Sequence, residues 1–265
     1  MKTYTHETPT AIGTQLAGRI AAGIRAANEA DRAYVLGCPG GRSAMPVYEA
    51  LAARVAAEPI AGPIDCSRLV IAMMDEYLIA APDGTLSPPP ASAHYSCRGF
   101  GEREILGRIN AGLPDACRIR PENFWMPDPS APGDYDRRLA AAGGIDLFLL
   151  ASGAGDGHIA FNPPGSPRDS RSRVVELAEQ TRRDNLATFP DFKSLDEVPT
   201  HGITIGIASI ADLSKSAAMI VWGAGKRTAY LRMSQAKAYD PAWPATIVVE
   251  CRDAELHADR EAADG

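Results

Sequence analysis

Short apolar runs that alternate with helical patterns constrain the fold of this chain most. Residues 145–150 form an apolar run of strand length, too short for a buried helix. Residues 10–30 instead repeat their apolar positions (Ile12, Leu16, Ile20, Ile24) at helical spacing, which predicts an amphipathic helix. Strands that alternate with helices predict an α/β fold. We expect a doubly wound, mainly parallel sheet with helices on both faces.

The same patterns locate the remaining elements. Further strands are predicted at residues 33–36, 69–74, 173–177, 203–207 and 218–222, and further helices at residues 93–111, 134–142 and 226–236. Ser43 is interpreted as the N-cap of a helix that carries Val47 and Leu51. Residues 244–251 fit a strand or a short helix. Residues 80–91, rich in Pro and Ser, are predicted to be a loop and a candidate lid. The length of 265 residues favours one domain over residues 1–265, although two would also fit.

Composition excludes several classes of function. A net charge of −6 argues against a nucleic-acid or anionic-membrane partner. The apolar runs are too short to span a bilayer, and the first residues lack the apolar core of a signal peptide, so a cytoplasmic location is expected. Five cysteines without a C-x-x-C pair indicate reduced thiols. No His, Cys and Asp residues have metal-ligand spacing, so we expect neither a metal nor an organic cofactor.

The most informative loop follows the apolar run at residues 145–150. It places Asp156 and His158 two positions apart among the glycines Gly153, Gly155, Gly157 and Gly165. Glycines permit unusual dihedrals and close approach of the backbone to a ligand. In open α/β sheets, ligands bind where strands give way to such loops. The alternative is a sharp turn with a solvated Asp and His.

Two other loops between a strand and a helix could bind an anion. In the first, Gly40 and Gly41 would let backbone N–H groups converge, and Arg42 and Ser43 follow them. In the second, Lys226 could supply another cation. Either loop is also consistent with an ordinary turn.

Asp75 and Glu76 follow the strand predicted at residues 69–74. Adjacent side chains on extended backbone point to opposite sides, so only one of the two is expected to face a ligand. A partly desolvated Asp75 is a candidate general base; the alternative is a helix cap or a surface ion pair. His94 either lines the site or lies on the surface.

In this order, these segments resemble the glucosamine-6-phosphate deaminase/isomerase family and, more distantly, its 6-phosphogluconolactonase relatives. The matching sequences are Leu-Gly-Cys-Pro-Gly-Gly-Arg-Ser at 36–43, Met-Asp-Glu-Tyr at 74–77, Gly-Ala-Gly-Asp-Gly-His-Ile-Ala-Phe-Asn at 153–162, Thr181-Arg182 with Asn185, and Gly-Ala-Gly-Lys at 223–226. The resemblance implies a Rossmann-like fold and a hexose or hexosamine 6-phosphate as substrate. It also implies that Asp75 shuttles a proton between C2 and C1, and that Asp156 and His158 open the pyranose ring. Asn162 ends the most specific of these motifs.

The chain departs from the family pattern at several positions. Pro163 stands where a Glu would complete the ring-opening triad, and Ala187 stands where an Arg would bind phosphate. Arg42 occupies a position that is usually small and hydroxylated, and our hypothesis is that it replaces the missing cation. Arg173 matches the family's allosteric site, but Val175 replaces its Lys, so we do not predict activation by an acetylated sugar phosphate.

Three functions remain open at this stage. The first is an aldose–ketose isomerase that deaminates an amino sugar 6-phosphate. The second is a lactonase in which His158 activates water, and the third is a sugar-phosphate-binding protein without turnover. The expected partner is a small sugar phosphate, and a homo-oligomer is neither required nor excluded.

Overall fold

The computed structural model describes residues 1–57 and 63–264. Its strands, in chain order, are β1 (Lys2–His6), β2 (Tyr34–Cys38), β3 (Leu69–Met73), β4 (Asp75–Ala80), β5 (Leu86–Ser87), β6 (Phe124–Trp125), β7 (Leu147–Ala151), β8 (Arg173–Glu176), β9 (His201–Thr204), β10 (Ala217–Val221) and β11 (Ala254–Asp259). Its α-helices are α1 (Pro9–Glu29), α2 (Met45–Ala56), α3 (Cys97–Phe100), α4 (Arg108–Ala111), α5 (Pro132–Ala141), α6 (Glu179–Thr188), α7 (Ile207–Leu213), α8 (Arg227–Gln235) and α9 (Arg260–Asp264).

Seven strands form the main sheet, in the order β1-β11-β10-β7-β2-β3-β6. Every neighbouring pair in this sheet is parallel, which confirms the predicted α/β class. From β2 the chain continues outward through β3 in one direction, and from β7 it continues through β10 and β11 in the other. The strand order therefore reverses between β2 and β7, where ligands bind in open α/β sheets.

Alternate side chains of the strands build two separate cores. In β2, Leu36 packs in the core that contains the apolar faces of α1 and α2. Its neighbour Val35 packs in the core that contains residues of α5, α7 and α8. Because successive side chains of a strand point to opposite faces, strands buried on both sides become the continuous apolar runs seen in the sequence. The prediction of helices on both faces is confirmed.

A second, antiparallel sheet, in the order β5-β4-β9-β8, was not distinguished from the sequence. Its strand β4 begins at Asp75, only two residues after β3 ends at Met73. The loop predicted at residues 80–91 is wrong in part, because Ala80 ends β4 and pairs with Leu86 of β5 in a hairpin. Whether this hairpin acts as a lid stays a prediction.

Local boundaries differ from the predictions in three places. Ser43 is not the N-cap of α2: a 3-10 turn, Arg42–Ala44, precedes the helix, whose cap position is Ala44 without a side-chain hydrogen bond. Helical structure in the 93–111 region begins only at Cys97, where Ser96 caps α3, and continues as the π-helical turn Gly101–Gly107 into α4. The ambiguous segment forms a 3-10 helix, Pro244–Glu250. No helix in the described residues is long and apolar enough to cross a membrane.

Candidate active site

Loops at one edge of the main sheet build the candidate site. They follow the carboxyl ends of β2, β7 and β10, and β3 leads at the same edge into Asp75. The carboxyl ends of parallel strands lie together, so folding brings together segments that are far apart in the sequence. The β10 and β2 loops touch directly, since Trp222 Nε1 donates to the Ser43 carbonyl oxygen at 2.9 Å.

Asp156 and His158 form a close pair in the β7 loop. His158 Nδ1 lies 2.7 Å from Asp156 Oδ1, and the His158 backbone N–H donates to the same oxygen. Thr181 Oγ1 donates to the other oxygen, Oδ2, at 2.9 Å. Burial tends to raise the pKa of Asp156, but the hydrogen bonds and charge of His158, together with Thr181, outweigh burial and lower this pKa to about 2. The carboxylate therefore stays ionised and fixes the orientation of the imidazole.

The glycines of this loop have distinct physical roles. A Cβ on Gly153 would lie 2.3 Å from both Asp156 Oδ1 and His158 Nδ1, so any larger residue would separate the pair. Gly157 has a φ of +66°, and a Cβ there would meet the ring of Trp243 at 2.3 Å. Gly155 has only ordinary contact with Gln180. Gly153 and Gly157 thus permit a turn that no other residue would allow.

Asp75 is buried, with 6% of its surface exposed, at the start of β4. Burial raises its pKa to about 7, with a smaller upward effect of the Glu76 charge, against the lowering effects of a hydrogen bond from Cys97 and the charge of His158. A carboxyl with this pKa can both accept and return a proton near neutrality.

The strand pairing explains why Asp75 lies within electrostatic reach of His158. Asp75 pairs with Thr204 of β9, and Thr204 Oγ1 accepts a hydrogen bond from the Phe161 backbone N–H at 3.1 Å. Phe161 belongs to the loop that carries His158, and its ring packs on Tyr77 at 4.7 Å between centroids. The loop is therefore fastened to the second sheet beside Asp75.

Arg42 and Lys226 bring two positive charges to the same edge. Arg42 is exposed, and its Nη2 donates to Thr188 Oγ1 at 3.3 Å. Lys226 Nζ donates to the Ser152 carbonyl oxygen at 2.5 Å. Burial lowers the pKa of Lys226, and Arg42 lowers it further, whereas Asp184 and Asp156 raise it. The charge of Arg42 therefore acts on Lys226.

The loop after β2 leaves room around these cations. Gly41 has a φ of +98°, a conformation that favours glycine, and no atom lies within 4 Å of where its Cβ would be. A Cβ on Gly40 would lie 3.4 Å from Cys97 Sγ. Gly40 therefore packs against the cysteine whose side chain hydrogen-bonds to Asp75. Ser43 occupies the 3-10 turn that follows.

Helix α6, which was not predicted from the sequence although Thr181 and Asn185 match the family pattern, lies between these groups. Thr181 contacts the Asp156–His158 pair, and Thr188 contacts Arg42. Asn185 lies between them at helical spacing. Positions i, i+4 and i+7 share one face of a helix, so the polar residues 181, 185 and 188 could have been recognised from the sequence.

Two of the possible site residues, Glu76 and Asn162, make hydrogen bonds within the protein, and a third, His94, lies at the surface. Glu76 points away from Asp75, and its carboxylate accepts from Ser96 Oγ and the Cys97 and Arg98 N–H groups at the start of α3. Asn162 is fully buried, and its Nδ2 donates to the Ile159 and Ile205 carbonyl oxygens. His94 is exposed. Contact of these three side chains with a ligand stays a prediction.

Two departures from the family pattern, Pro163 and Val175, share a cavity with Arg173. The cavity has a volume of about 590 Å³. Arg173 is already engaged there, because it donates to Asn162 Oδ1 and Ser166 Oγ. No group of three or more His, Cys, Asp or Glu residues in residues 1–57 and 63–264 could hold a metal ion.

These features define a Rossmann-like α/β protein with ionisable side chains at the carboxyl edge of its parallel sheet. The family model described as glucosamine-6-phosphate isomerases/6-phosphogluconolactonase matches residues 7–258. The chain belongs to this family.

Individual relatives agree with this assignment. Glucosamine-6-phosphate deaminase of Pseudarthrobacter chlorophenolicus is 42% identical over 201 residues, covering 74% of this chain and 67% of the relative. The Beutenbergia cavernae enzyme of that name is 36% identical over 232 residues, covering 88% and 81%. A solved monomeric glucosamine-6-phosphate deaminase has a TM-score of 0.82 at 25% identity, covering 99% and 98% of the two chains. A 6-phosphogluconolactonase from Leishmania guyanensis shares the fold, with a TM-score of 0.70 at 17% identity, covering 100% and 98%.

Proposed function

We propose that this protein is an aldose–ketose isomerase that deaminates an amino sugar 6-phosphate to a ketose phosphate and ammonia. The observation that carries the proposal is the buried Asp75. Its pKa of about 7 suits a base that takes and returns one proton, and the charge of His158 acts on it. A lactonase would need no such base at a C–H bond. The names of the relatives point to the same reaction.

Ring opening is assigned to His158. Asp156 engages Nδ1 at 2.7 Å, and Nε2 makes no hydrogen bond with any residue that the structure describes. Nε2 takes the proton of the anomeric hydroxyl and returns it to the ring oxygen as the C1–O5 bond breaks and the C1 carbonyl forms. Thr181 fixes Asp156, so the pair keeps its orientation without a third carboxylate at Pro163.

Asp75 then takes the C2 proton as the C2 ammonium passes a proton to O1, which gives an enolamine, and it returns the C2 proton to C1, which leaves a C2 iminium. Water adds to C2, the proton that it releases passes to the nitrogen, and ammonia leaves as the C2 carbonyl forms. Arg42, Lys226 and the N–H groups of Gly40, Gly41 and Ser43 are assigned to the phosphate. A guanidinium and an ammonium beside one anion give charge-assisted hydrogen bonds, which are the strong class.

The test is product formation from a panel of hexosamine 6-phosphates, with ammonia and ketose measured together. Asp75→Asn should abolish both products, whereas Asp196→Asn, which changes an exposed carboxylate, should not. Lactone hydrolysis that survives Asp75→Asn, without ammonia release by the wild type, would assign the lactonase function instead. Tight binding of the phosphosugar without any product would indicate a binding protein.

A further inference from the structure

A buried carboxylate at the carboxyl edge of the main sheet holds the loop that follows β10. Asp259 is the last residue of β11, with 3% of its surface exposed. Both of its carboxylate oxygens accept the Gly223 backbone N–H, at 3.0 and 3.1 Å, and Oδ1 also accepts the Ala262 N–H at 2.9 Å. The parallel register explains the contact with Gly223. Val221 pairs with Ala258, so the next residue of β11 lies beside the start of the loop after β10.

Gly223 begins the turn that carries Lys226. It has a φ of +84°, in the region that favours glycine, and it directly precedes the 3-10 turn Ala224–Lys226. The Lys226 backbone N–H donates back to the Gly223 carbonyl oxygen at 2.9 Å, and the Lys226 ammonium donates to the Ser152 carbonyl oxygen. The hydrogen bonds from Asp259 therefore fix the peptide from which this turn starts.

The same anchor extends to the loop after β2. Trp222 directly precedes Gly223, and its indole N–H donates to the Ser43 carbonyl oxygen. Helix α9 is tied to the turn a second time, since Arg227 Nη1 donates to the Ala263 carbonyl oxygen at 3.1 Å. A movement of the Gly223 peptide would therefore shift both loops that are assigned to the phosphate.

We infer that Asp259 is a positioning residue of the phosphate site: through the Gly223 N–H, its carboxylate holds the turn that carries Lys226 in the position that binds phosphate. This inference rests on the proposed function only in assigning the phosphate to Lys226. A site that is ordered before binding loses less conformational entropy when its ligand binds. Without the carboxylate, the phosphate must order the turn as it binds. The affinity for phosphate then falls, while Asp75 and His158 stay in place.

The test separates phosphate affinity from turnover. Asp259→Ala removes the acceptor of the Gly223 N–H. Its Kd for inorganic phosphate, measured by calorimetry, and its KM for the sugar phosphate should both rise about 10-fold, the effect of one lost hydrogen bond. Its kcat should change less than about 2-fold, because the groups that move protons are untouched. Asp259→Asn keeps one acceptor oxygen, so its Kd and KM should lie between those of Asp259→Ala and the wild type.

Asp146→Ala is the matched control. Asp146 also accepts a backbone N–H, that of Val35 at 2.9 Å, but it precedes β7 at the opposite edge of the same sheet. This variant should lose stability and keep the wild-type Kd and KM. If the Asp259 variants lose stability in the same way and also keep the wild-type Kd and KM, the carboxylate only stabilises the fold and the inference is wrong.

The Asn variant keeps the test decisive if Asp259→Ala does not fold, since an unchanged Kd of Asp259→Asn for inorganic phosphate overturns the inference. Turnover tests the proposed function separately. If the wild type releases neither ammonia nor ketose from any hexosamine 6-phosphate, while Asp259→Asn still binds inorganic phosphate more weakly, the proposed function fails and the positioning role of Asp259 stands.

Discussion

Replacing Asp75 by Asn should make the protein more stable while abolishing its activity. The pKa of this carboxyl is raised from 3.8 to about 7, chiefly by burial. The pKa of Asp75 in the folded protein lies above its value in the unfolded chain. The contribution of protonated Asp75 to the stability of the fold is therefore fully present below pH 3.8 and is lost as the pH rises through 7. The shift is about three pH units at about 1.4 kcal/mol each, so ionised Asp75 costs about 4 kcal/mol at pH 8.

Asp75→Asn removes this cost because the amide carries no charge. In urea unfolding, the free energy of unfolding of the variant should exceed that of the wild type by about 4 kcal/mol at pH 8 and by less than about 2 kcal/mol at pH 5. The turnover number should fall by about 100-fold or more, the usual contribution of a general base. Asp196→Asn should give no pH-dependent gain. Equal or lower stability of Asp75→Asn at pH 8 would refute the assignment of a desolvated base.

Three further predictions concern the surrounding groups. Asp156→Asn should destabilise the protein by about 2 kcal/mol at pH 7 in urea unfolding, since the pKa lowered to about 2 stabilises the fold above pH 3.8; an unchanged midpoint would contradict this. Arg42→Ala should raise the KM for the sugar phosphate about 10- to 100-fold with little change in kcat, and an unchanged KM would remove Arg42 from the phosphate site. Gly153→Ala should lower kcat at least 10-fold with a native circular dichroism spectrum, because its Cβ separates Asp156 from His158; wild-type kinetics would show that the loop can adjust.

The sequence predicted the proximity of Asp156 and His158 better than the side-chain contacts of the other candidate residues. Asp156 and His158 are two residues apart in one loop, so their proximity is a local property that glycine spacing reveals. Glu76 was a candidate because it adjoins Asp75, and Asn162 because it ends the motif that carries the family resemblance. Their side chains turn instead toward the start of α3 and toward buried carbonyl oxygens. Ser96, a partner of Glu76, lies 20 positions away in the chain, and Ile205, a partner of Asn162, lies 43 positions away.

The sequence by itself determined the α/β class, because strands buried on both faces must be continuous apolar runs and the helices between them must be amphipathic. It did not determine the second sheet, since the short runs that form β4, β8 and β9 look the same whether their neighbours are parallel or antiparallel. Only the tertiary structure decided that β9 pairs with β4 at Asp75 and that α6 places Thr188 against Arg42. Burial raises the pKa of Asp75, and the Cys97 hydrogen bond and the His158 charge lower it; all three effects exist only once the chain has folded.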